Sequence, residues 1–238
     1  MLRTGQMILC QALKRHVLFE SFSLETLQSQ FARQKYREIL RTFADNDPKA
    51  PFGVHRIVRE GAQNGLEPGQ WFGPQFISIM LRNLCNRLQP FPDFKILVCL
   101  DGNIFLDELR AEVKQRKSVL VLLPIRLGLT SIHRAYLEQV KRHFQISANV
   151  GIAGGKDHAA LYLIGDENAS SVRGSFLYLD PHTIQPSLPS ALLNEPNAFP
   201  DLPSYHCTEA RSLDPEALCT SMAPGFYLRD EAAFESWA

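Results

Sequence analysis

The sequence predicts a mixed α/β fold of the α+β kind, and two observations support that class. Apolar residues recur at helical spacing up to Leu88, and from Phe94 onward apolar runs of strand length alternate with helical patterns. The chain has 238 residues, 45% of them hydrophobic, which is enough to form a buried core. Its 25 basic and 25 acidic residues balance, so no overall field favours nucleic acid or an anionic membrane as a partner.

Four helices are predicted before Phe94. The first begins at the start of the chain without an N-cap residue, and the fourth has Pro74 in its first turn, where proline is favoured. Gly61 is expected to end the third helix, because glycine commonly follows the last residue of a helix. The four predicted extents are the chain start to Val17, Leu24 to Phe43, His55 to Glu60 and Pro74 to Leu88.

The second part of the chain predicts short buried strands separated by helices. A polar helix ending at Lys117 is expected between the first two strands, and Ser131 is expected to cap a helix that continues through Phe144. The predicted strands are Ile96 to Leu100, Val119 to Leu123, a hairpin of Leu161 to Ile164 with Phe176 to Leu179 turning around Ser170 to Gly174, and a last strand from Gly225 to Leu228. The proline-rich segment from Pro186 to Pro203 predicts an irregular surface crossing.

Asp180 and His182 are the first candidates for chemistry. They flank Pro181 directly after an apolar run, and residues two apart in an extended segment project to the same side. A hydrogen bond between this carboxylate and this imidazole would orient the ring and stabilise its protonated form, as nucleophilic catalysis requires. The same tripeptide also fits an Asp-Pro turn that ends a strand and leaves His182 incidentally exposed.

Two glycine-containing segments are candidates for a binding cleft. Trp71 lies between Gly69 and Gly73, in a loop before a predicted helix, where its ring could cover a cleft or could pack the loop onto the core. Gly154 and Gly155 precede the predicted hairpin and are expected to form a loop in which the backbone can hinge or approach another chain closely.

Several other classes of site find no support in the sequence. The seven histidines and five cysteines show neither HExxH nor CxxC spacing, so no metal is expected, and no glycine-rich phosphate motif predicts a nucleotide. An odd, scattered set of cysteines favours free thiols over disulfides. Since Met1 to Gln6 lacks the layout of a secretory signal and no apolar stretch is long enough to cross a bilayer, a cytoplasmic protein is expected.

Ordered blocks over nearly the whole chain resemble the autophagy-related cysteine proteases, the autophagin family. They are Met1 to Arg3 with Gly5 to Leu9, Gly69 to Pro74, Arg126 to Ile132, Gly154 to Lys156, Tyr162 with Ile164 and Gly165, Tyr178 to Thr183 with Gln185 and Pro186, and Pro224 to Phe226. The resemblance implies a papain-like fold in one peptidase domain spanning residues 1–238, without a cofactor. It implies His182 as the general base, Asp180 as its orienting partner, and Trp71 with Gly154 and Gly155 at a cleft that binds substrate.

The family pattern places the nucleophilic cysteine directly before Met1. The chain is therefore expected to lack the N-terminal segment of the family together with the nucleophile. Cys10 lies about 15 Å further along the predicted helix, so it is expected to be a core residue like Cys85 and Cys99. Cys207 and Cys219 fall outside the matching blocks.

The resemblance implies a protease that cleaves the C-terminus of a ubiquitin-like autophagy modifier to expose a glycine, and that releases the modifier from phosphatidylethanolamine. The expected partners are the free and the lipid-conjugated modifier, with no nucleic acid and with membrane contact only through the lipidated substrate. Two alternatives remain open at this point: an inactive form that only binds the modifier, and a non-functional fragment.

Overall fold

The computed structural model describes residues 1–18, 29–67, 69–168, 174–187, 207 and 209–238. Its helices are α1 (Leu2–Leu18), α2 (Gln30–Arg41), α3 (Val54–Gln63), α4 (Pro74–Leu88), α5 (Leu106–Lys114), α6 (Arg134–His143) and α7 (Glu231–Trp237). Its strands are β1 (Phe94–Val98), β2 (Ser118–Leu122), β3 (Ile125–Arg126), β4 (Asn149–Lys156), β5 (Ala159–Asp166), β6 (Phe176–Leu179), β7 (Arg211–Leu213) and β8 (Ser221–Leu228). A short 3-10 helix covers Pro215–Ala217.

The strands form one mixed sheet in the order β1-β2-β8-β4-β5-β6-β7, with β3 pairing to β8 beside that path. β1 and β2 are parallel, and the other described pairings are antiparallel. The last strand of the chain thus lies at the centre of the sheet, between β2 and β4. The predicted mixed α/β class is confirmed.

Helices cover both faces of the sheet. The side chains of β2 show this, because alternate residues of a strand face opposite sides. Leu120 and Leu122 belong to a core cluster with α1, α2 and α4, whereas Val119 and Val121 pack in a second cluster with α5 and α7. A third cluster joins α6 to β4, β5 and β6. Because β2 is buried on both faces, its sequence is an unbroken apolar run. None of the helices in the described part of the chain is both long and apolar enough to span a bilayer.

The predicted helices are largely present, with corrections to their ends and caps; α5, for example, ends at Lys114 and not at Lys117. Gly61 does not end α3, which continues to Gln63; a Cβ at this glycine would lie 2.8 Å from the Phe72 ring, so the residue is needed for packing. Ser131 does not cap α6, because the cap is His133, whose Nδ1 accepts a hydrogen bond from the Ala135 N–H at 3.3 Å. α2 begins later than predicted, after a Ser29 cap, and Leu24 and Leu27 lie outside the described residues.

The predicted strands are confirmed with shifted ends, and others were missed. β1 and β2 begin and end one or two residues earlier than predicted, and β8 is longer. β5 and β6 pair as the predicted antiparallel hairpin, whose turn up to residue 173 lies outside the described residues, as does the proline-rich crossing from residue 188 to residue 203. β3, β4, β7 and α7 had no counterpart in the sequence prediction. The predicted loop at Gly154 and Gly155 is wrong, because both lie within β4.

His143, the last residue of α6, makes the stability of the fold depend on pH. Its ring packs edge-on against Phe226 with 4.6 Å between centroids, and its buried Nε2 has no hydrogen-bond partner among the described residues. Burial lowers the pKa of His143 from its ordinary value of 6.5 to about 4, and hydrogen bonds with Gly151 and Asn149 offset this only in part. Between these two pH values the unfolded chain binds more protons than the folded chain, so stability falls as the pH falls.

We expect His143 to account for a loss of about 3 kcal/mol in the free energy of unfolding as the pH falls from 6.5 to 4. His143→Leu should flatten this part of the profile. Denaturant unfolding at a series of pH values measures the difference. An equally steep profile in His143→Leu and the unsubstituted protein would contradict the assignment.

Candidate active site

Asp180 and His182 form the hydrogen-bonded pair that their spacing predicted. The backbone leaves β6 at Leu179 and turns, which brings His182 Nδ1 to 2.7 Å from Asp180 Oδ1. The same oxygen accepts the His182 backbone N–H at 2.9 Å. A carboxylate can only accept, so Nδ1 carries the proton and Nε2 is the basic nitrogen. With half of its side chain exposed, the ring can reach a substrate.

Arg211 completes this arrangement from β7. Its Nη1 donates to the second oxygen, Asp180 Oδ2, at 3.0 Å, and the pairing of Arg211 with Tyr178 across β6 and β7 sets its position. Partial burial raises the pKa of Asp180, but hydrogen bonds from His182 and the charges of His182 and Arg211 outweigh it and hold the pKa below its usual range. Asp180 therefore stays ionised and keeps the imidazole in one orientation.

A cleft of about 200 Å³ lies at the same end of the sheet. Trp71 stands on one side of it with 60% of the residue exposed, so the indole does not pack into the core. Gly154 and Gly155 of β4 also line the cleft, together with Ala159 and Ala160 at the start of β5. The structure thus brings all three predicted substrate-binding residues to one cleft.

The strand register places the Asp180–His182 pair beside this cleft, although neither residue lines it. Leu179, the last residue of β6, pairs with Tyr162 of β5, and the two strands are antiparallel. Past Leu179 the chain therefore runs toward the start of β5, where Ala159 and Ala160 line the cleft. The His182 imidazole therefore lies on the turn that follows β6, near the cleft.

The start of α1 also opens into the cleft, because Met1 is one of its lining residues. The first turn of this helix is held by side-chain contacts. Arg3 makes a bidentate ion pair with Asp45 at 3.1 and 2.6 Å, and Gln6 Nε2 donates to the Phe52 carbonyl at 2.7 Å. The N-terminal end of a helix favours negative charge, so this end of α1 can stabilise an anion formed in the cleft.

Position 155, which lines the cleft, has no room for a side chain. A Cβ at this position would overlap the Ala159 carbonyl oxygen across the β4–β5 hairpin. The Gly155 carbonyl accepts the Cys219 N–H at 2.8 Å, which links β4 to the segment before β8. A Cβ at Gly154, in contrast, would make only ordinary contacts, 3.4 Å or more from its neighbours.

The five cysteines are free thiols, and they differ in burial. Cys85 is buried, and Cys10 and Cys99 are partly buried against core clusters, as predicted. Burial raises the pKa of the Cys85 thiol to about 12 and, with nearby acidic residues, that of Cys99 to about 11. Cys219 lines the cleft, where burial and the charge of Asp157 raise the pKa of its thiol. These environments disfavour the thiolate.

Arg211 and Cys219 are site residues that sequence reasoning did not identify. Each reaches the site through pairing with a segment distant in sequence, and no local motif marks either residue. Within the described ranges, no group of three or more histidine, cysteine, aspartate or glutamate side chains is arranged to hold a metal ion.

A helix-covered mixed sheet with a carboxylate-bound imidazole fits the papain-like class of folds. The family model described as the peptidase C54 catalytic domain matches residues 1–238. The chain therefore belongs to the peptidase C54 family. The resemblance to autophagy-related cysteine proteases is confirmed.

Similar proteins come from animals, fungi and plants. The cysteine protease atg4da of Danio rerio is 32% identical over 205 residues, which cover 84% of this chain and 40% of that protein. The probable cysteine protease atg4 of Botryotinia fuckeliana is 33% identical over 243 residues, covering all of this chain and 53% of that protein. The cysteine protease ATG4a of Arabidopsis thaliana is 30% identical over 260 residues, with the same two coverages. The chain spans about half the length of the curated relatives it matches.

Proposed function

We propose that the complete protein is a cysteine protease that cleaves a ubiquitin-like autophagy modifier after a C-terminal glycine and releases the same modifier from phosphatidylethanolamine. The observation that carries this proposal is the hydrogen bond between Asp180 and His182, which leaves Nε2 of the imidazole as a base beside a narrow cleft. In this proposal residues 1–238 are a single peptidase domain that needs no cofactor.

The nucleophile in this proposal is a cysteine directly before Met1 in the complete protein, as in the family pattern. Met1 lines the cleft at the start of α1, so the preceding residue would stand at the N-terminal end of that helix. A helix N-terminus and a neighbouring imidazolium both favour a thiolate. Reading the coding sequence upstream of Met1 tests this directly.

The proposed reaction proceeds by acyl transfer. The thiolate attacks the carbonyl carbon of the substrate glycine, and the negative charge moves to the carbonyl oxygen. His182 Nε2 holds the proton that it took from the cysteine thiol, and gives it to the departing nitrogen as the carbon–nitrogen bond breaks and a thioester forms. His182 then takes a proton from water, whose oxygen displaces the thiolate and leaves a free glycine carboxylate. Asp180 holds the ring in place throughout.

The shape of the cleft supports a glycine-ended tail as the substrate. Trp71, Gly154 and Gly155 all line this cleft of about 200 Å³, so the space suits a thin, extended peptide such as a glycine-ended tail. The reacting bond is an amide in both the peptide and the phosphatidylethanolamine conjugate, so one site serves both reactions. The five free thiols favour the reducing cytosol as the compartment.

A cleavage assay on the full-length protein tests the proposal. The substrates are the modifier extended beyond its C-terminal glycine and the modifier conjugated to phosphatidylethanolamine in vesicles, and mass spectrometry reads the products. We expect both to yield a product that ends in glycine. Trp71→Ala should raise KM by about tenfold, because the indole forms one side of the cleft.

A binding titration with the modifier, run alongside the cleavage assay, distinguishes an enzyme from an inactive binding protein. Saturable binding of the modifier without cleavage, weakened by Trp71→Ala, would replace the proposed protease by a binding protein. No binding and no cleavage would remove both functions.

A further inference from the structure

A second cavity, separate from the cleft, lies between α3 and α4. It has a volume of about 350 Å³, near the lower end of the range of small-molecule sites, about 300–1,000 Å³. Residues three and four apart share one face of a helix, and this places Arg56, Arg59 and Gln63 together on α3. Leu84 and Arg87, which are three residues apart on α4, line the other side of the cavity. We call this cavity, with Glu60, the arginine pocket.

Glu60 is the acidic residue of the arginine pocket, and its carboxylate already accepts hydrogen bonds from other side chains. Its side chain is 4% exposed, and its Oε2 accepts Arg87 Nη2 at 2.5 Å. Its Oε1 accepts Asn83 Nδ2 at 3.2 Å and Asn64 Nδ2 at 3.4 Å. Glu60 therefore fixes Arg87 at the pocket, and both of its oxygens accept hydrogen bonds from residues other than Arg56 and Arg59.

Arg56 and Arg59 are left without a counter-charge in the part of the chain that the structure describes. Arg56 lies four residues before Glu60, the spacing at which an ion pair within a helix would form, yet Glu60 pairs with Arg87 instead. Arg56 is half-buried, and its buried Nε has no hydrogen-bond acceptor. With three guanidinium groups and one carboxylate, the arginine pocket carries a net charge of about +2.

A cavity with excess guanidinium charge has a definite chemical preference. The planar fork of N–H donors in arginine matches the oxygens of phosphate, and several forks around one cavity bind a dianion better than a single charge. Leu84 adds an apolar wall, which lowers the competition from water. We propose that the arginine pocket is a binding site for a compact phosphate-type dianion, independent of the proposed proteolytic site.

Calorimetric titration of the full-length protein with inorganic phosphate and with pyrophosphate tests this site. We expect saturable binding that is tighter for pyrophosphate and weakens as the salt concentration rises. Arg59→Gln should weaken binding about tenfold, because it removes one charged donor at an exposed position that the fold does not need. Arg56→Gln combined with Arg59→Gln should abolish it.

Arg142→Gln, at an exposed position on α6 away from the pocket, is the matched control and should bind like the unsubstituted protein. Thermal melts of each variant show whether it is folded. An affinity that Arg59→Gln does not change, an equal loss in Arg142→Gln, or no saturable binding would each overturn the proposal.

The source of the phosphate group is resolved by a second arm of the experiment. Vesicles that contain phospholipids with phosphomonoester headgroups are sedimented with the protein, and vesicles of neutral lipid serve as the reference. Sedimentation that requires Arg56 and Arg59 identifies a lipid headgroup as the ligand. Binding of pyrophosphate without sedimentation identifies a free phosphate compound.

Discussion

Replacing His182 by alanine is expected to lower kcat/KM for cleavage of the modifier by about 10³-fold in the full-length protein. The substitution removes the nitrogen that protonates the departing amine and later activates water. KM should change little, because His182 does not line the cleft in which the substrate tail is proposed to bind. The effect should therefore fall mainly on kcat.

Asp180→Asn is the informative companion to this variant. The amide has nearly the same shape, but its Nδ2 donates where the carboxylate accepted, so the imidazole is driven toward the wrong tautomer. We expect a loss of about 10² to 10⁴-fold in kcat, and only a severalfold loss for Arg211→Gln, which touches the other oxygen of Asp180.

Steady-state kinetics on the peptide-extended modifier measure these effects, and His55→Ala, on the exposed face of α3, is the matched control. Thermal melts of the variants exclude unfolding as the cause of a loss. Full activity in His182→Ala would refute the role of the pair and leave it as an Asp-Pro turn with an exposed histidine.

The parts of the site that depend on local spacing could be predicted from the sequence. The contact between Asp180 and His182, two residues apart, could be predicted, but it forms in a turn after β6 and not in the extended segment that the sequence suggested. Trp71 lies in a loop that precedes Pro74, and the start of α4 at that proline was predictable as well. These features need no knowledge of distant segments.

The parts that depend on pairing between distant segments could not be predicted. β4 was missed because its sequence, with glycines at positions 151, 154 and 155, has low strand propensity, and its burial between β8 and β5 overrides that propensity. Arg211 reaches Asp180 through the pairing of β7 with β6. Cys219 reaches the cleft because its N–H bonds to Gly155. The arginine pocket likewise appears only when α3 packs on α4.

Gly155→Ala is expected to be among the most destabilising single-methyl changes near the site. The added Cβ would overlap the Ala159 carbonyl oxygen, a backbone atom that cannot rotate away, so the β4–β5 hairpin must shift. Overpacking of this kind costs about 3 kcal/mol, which corresponds to a fall of about 6–12 °C in Tm for a chain of this size. The hydrogen bond from the Cys219 N–H to Gly155 would be strained as well.

Gly154→Ala is the matched control, since it adds the same methyl group one residue away. Its Cβ would lie 3.4 Å from Leu163 Cδ1 and 3.7 Å from Met222 Cβ, which are ordinary contacts. Thermal unfolding of both variants should therefore show a large fall in Tm for Gly155→Ala and a change within about 1 °C for Gly154→Ala. Because alternate residues of β4 face opposite sides of the sheet, equal shifts in the two variants would mean that the pairing of Gly155 with Ala160 is wrong.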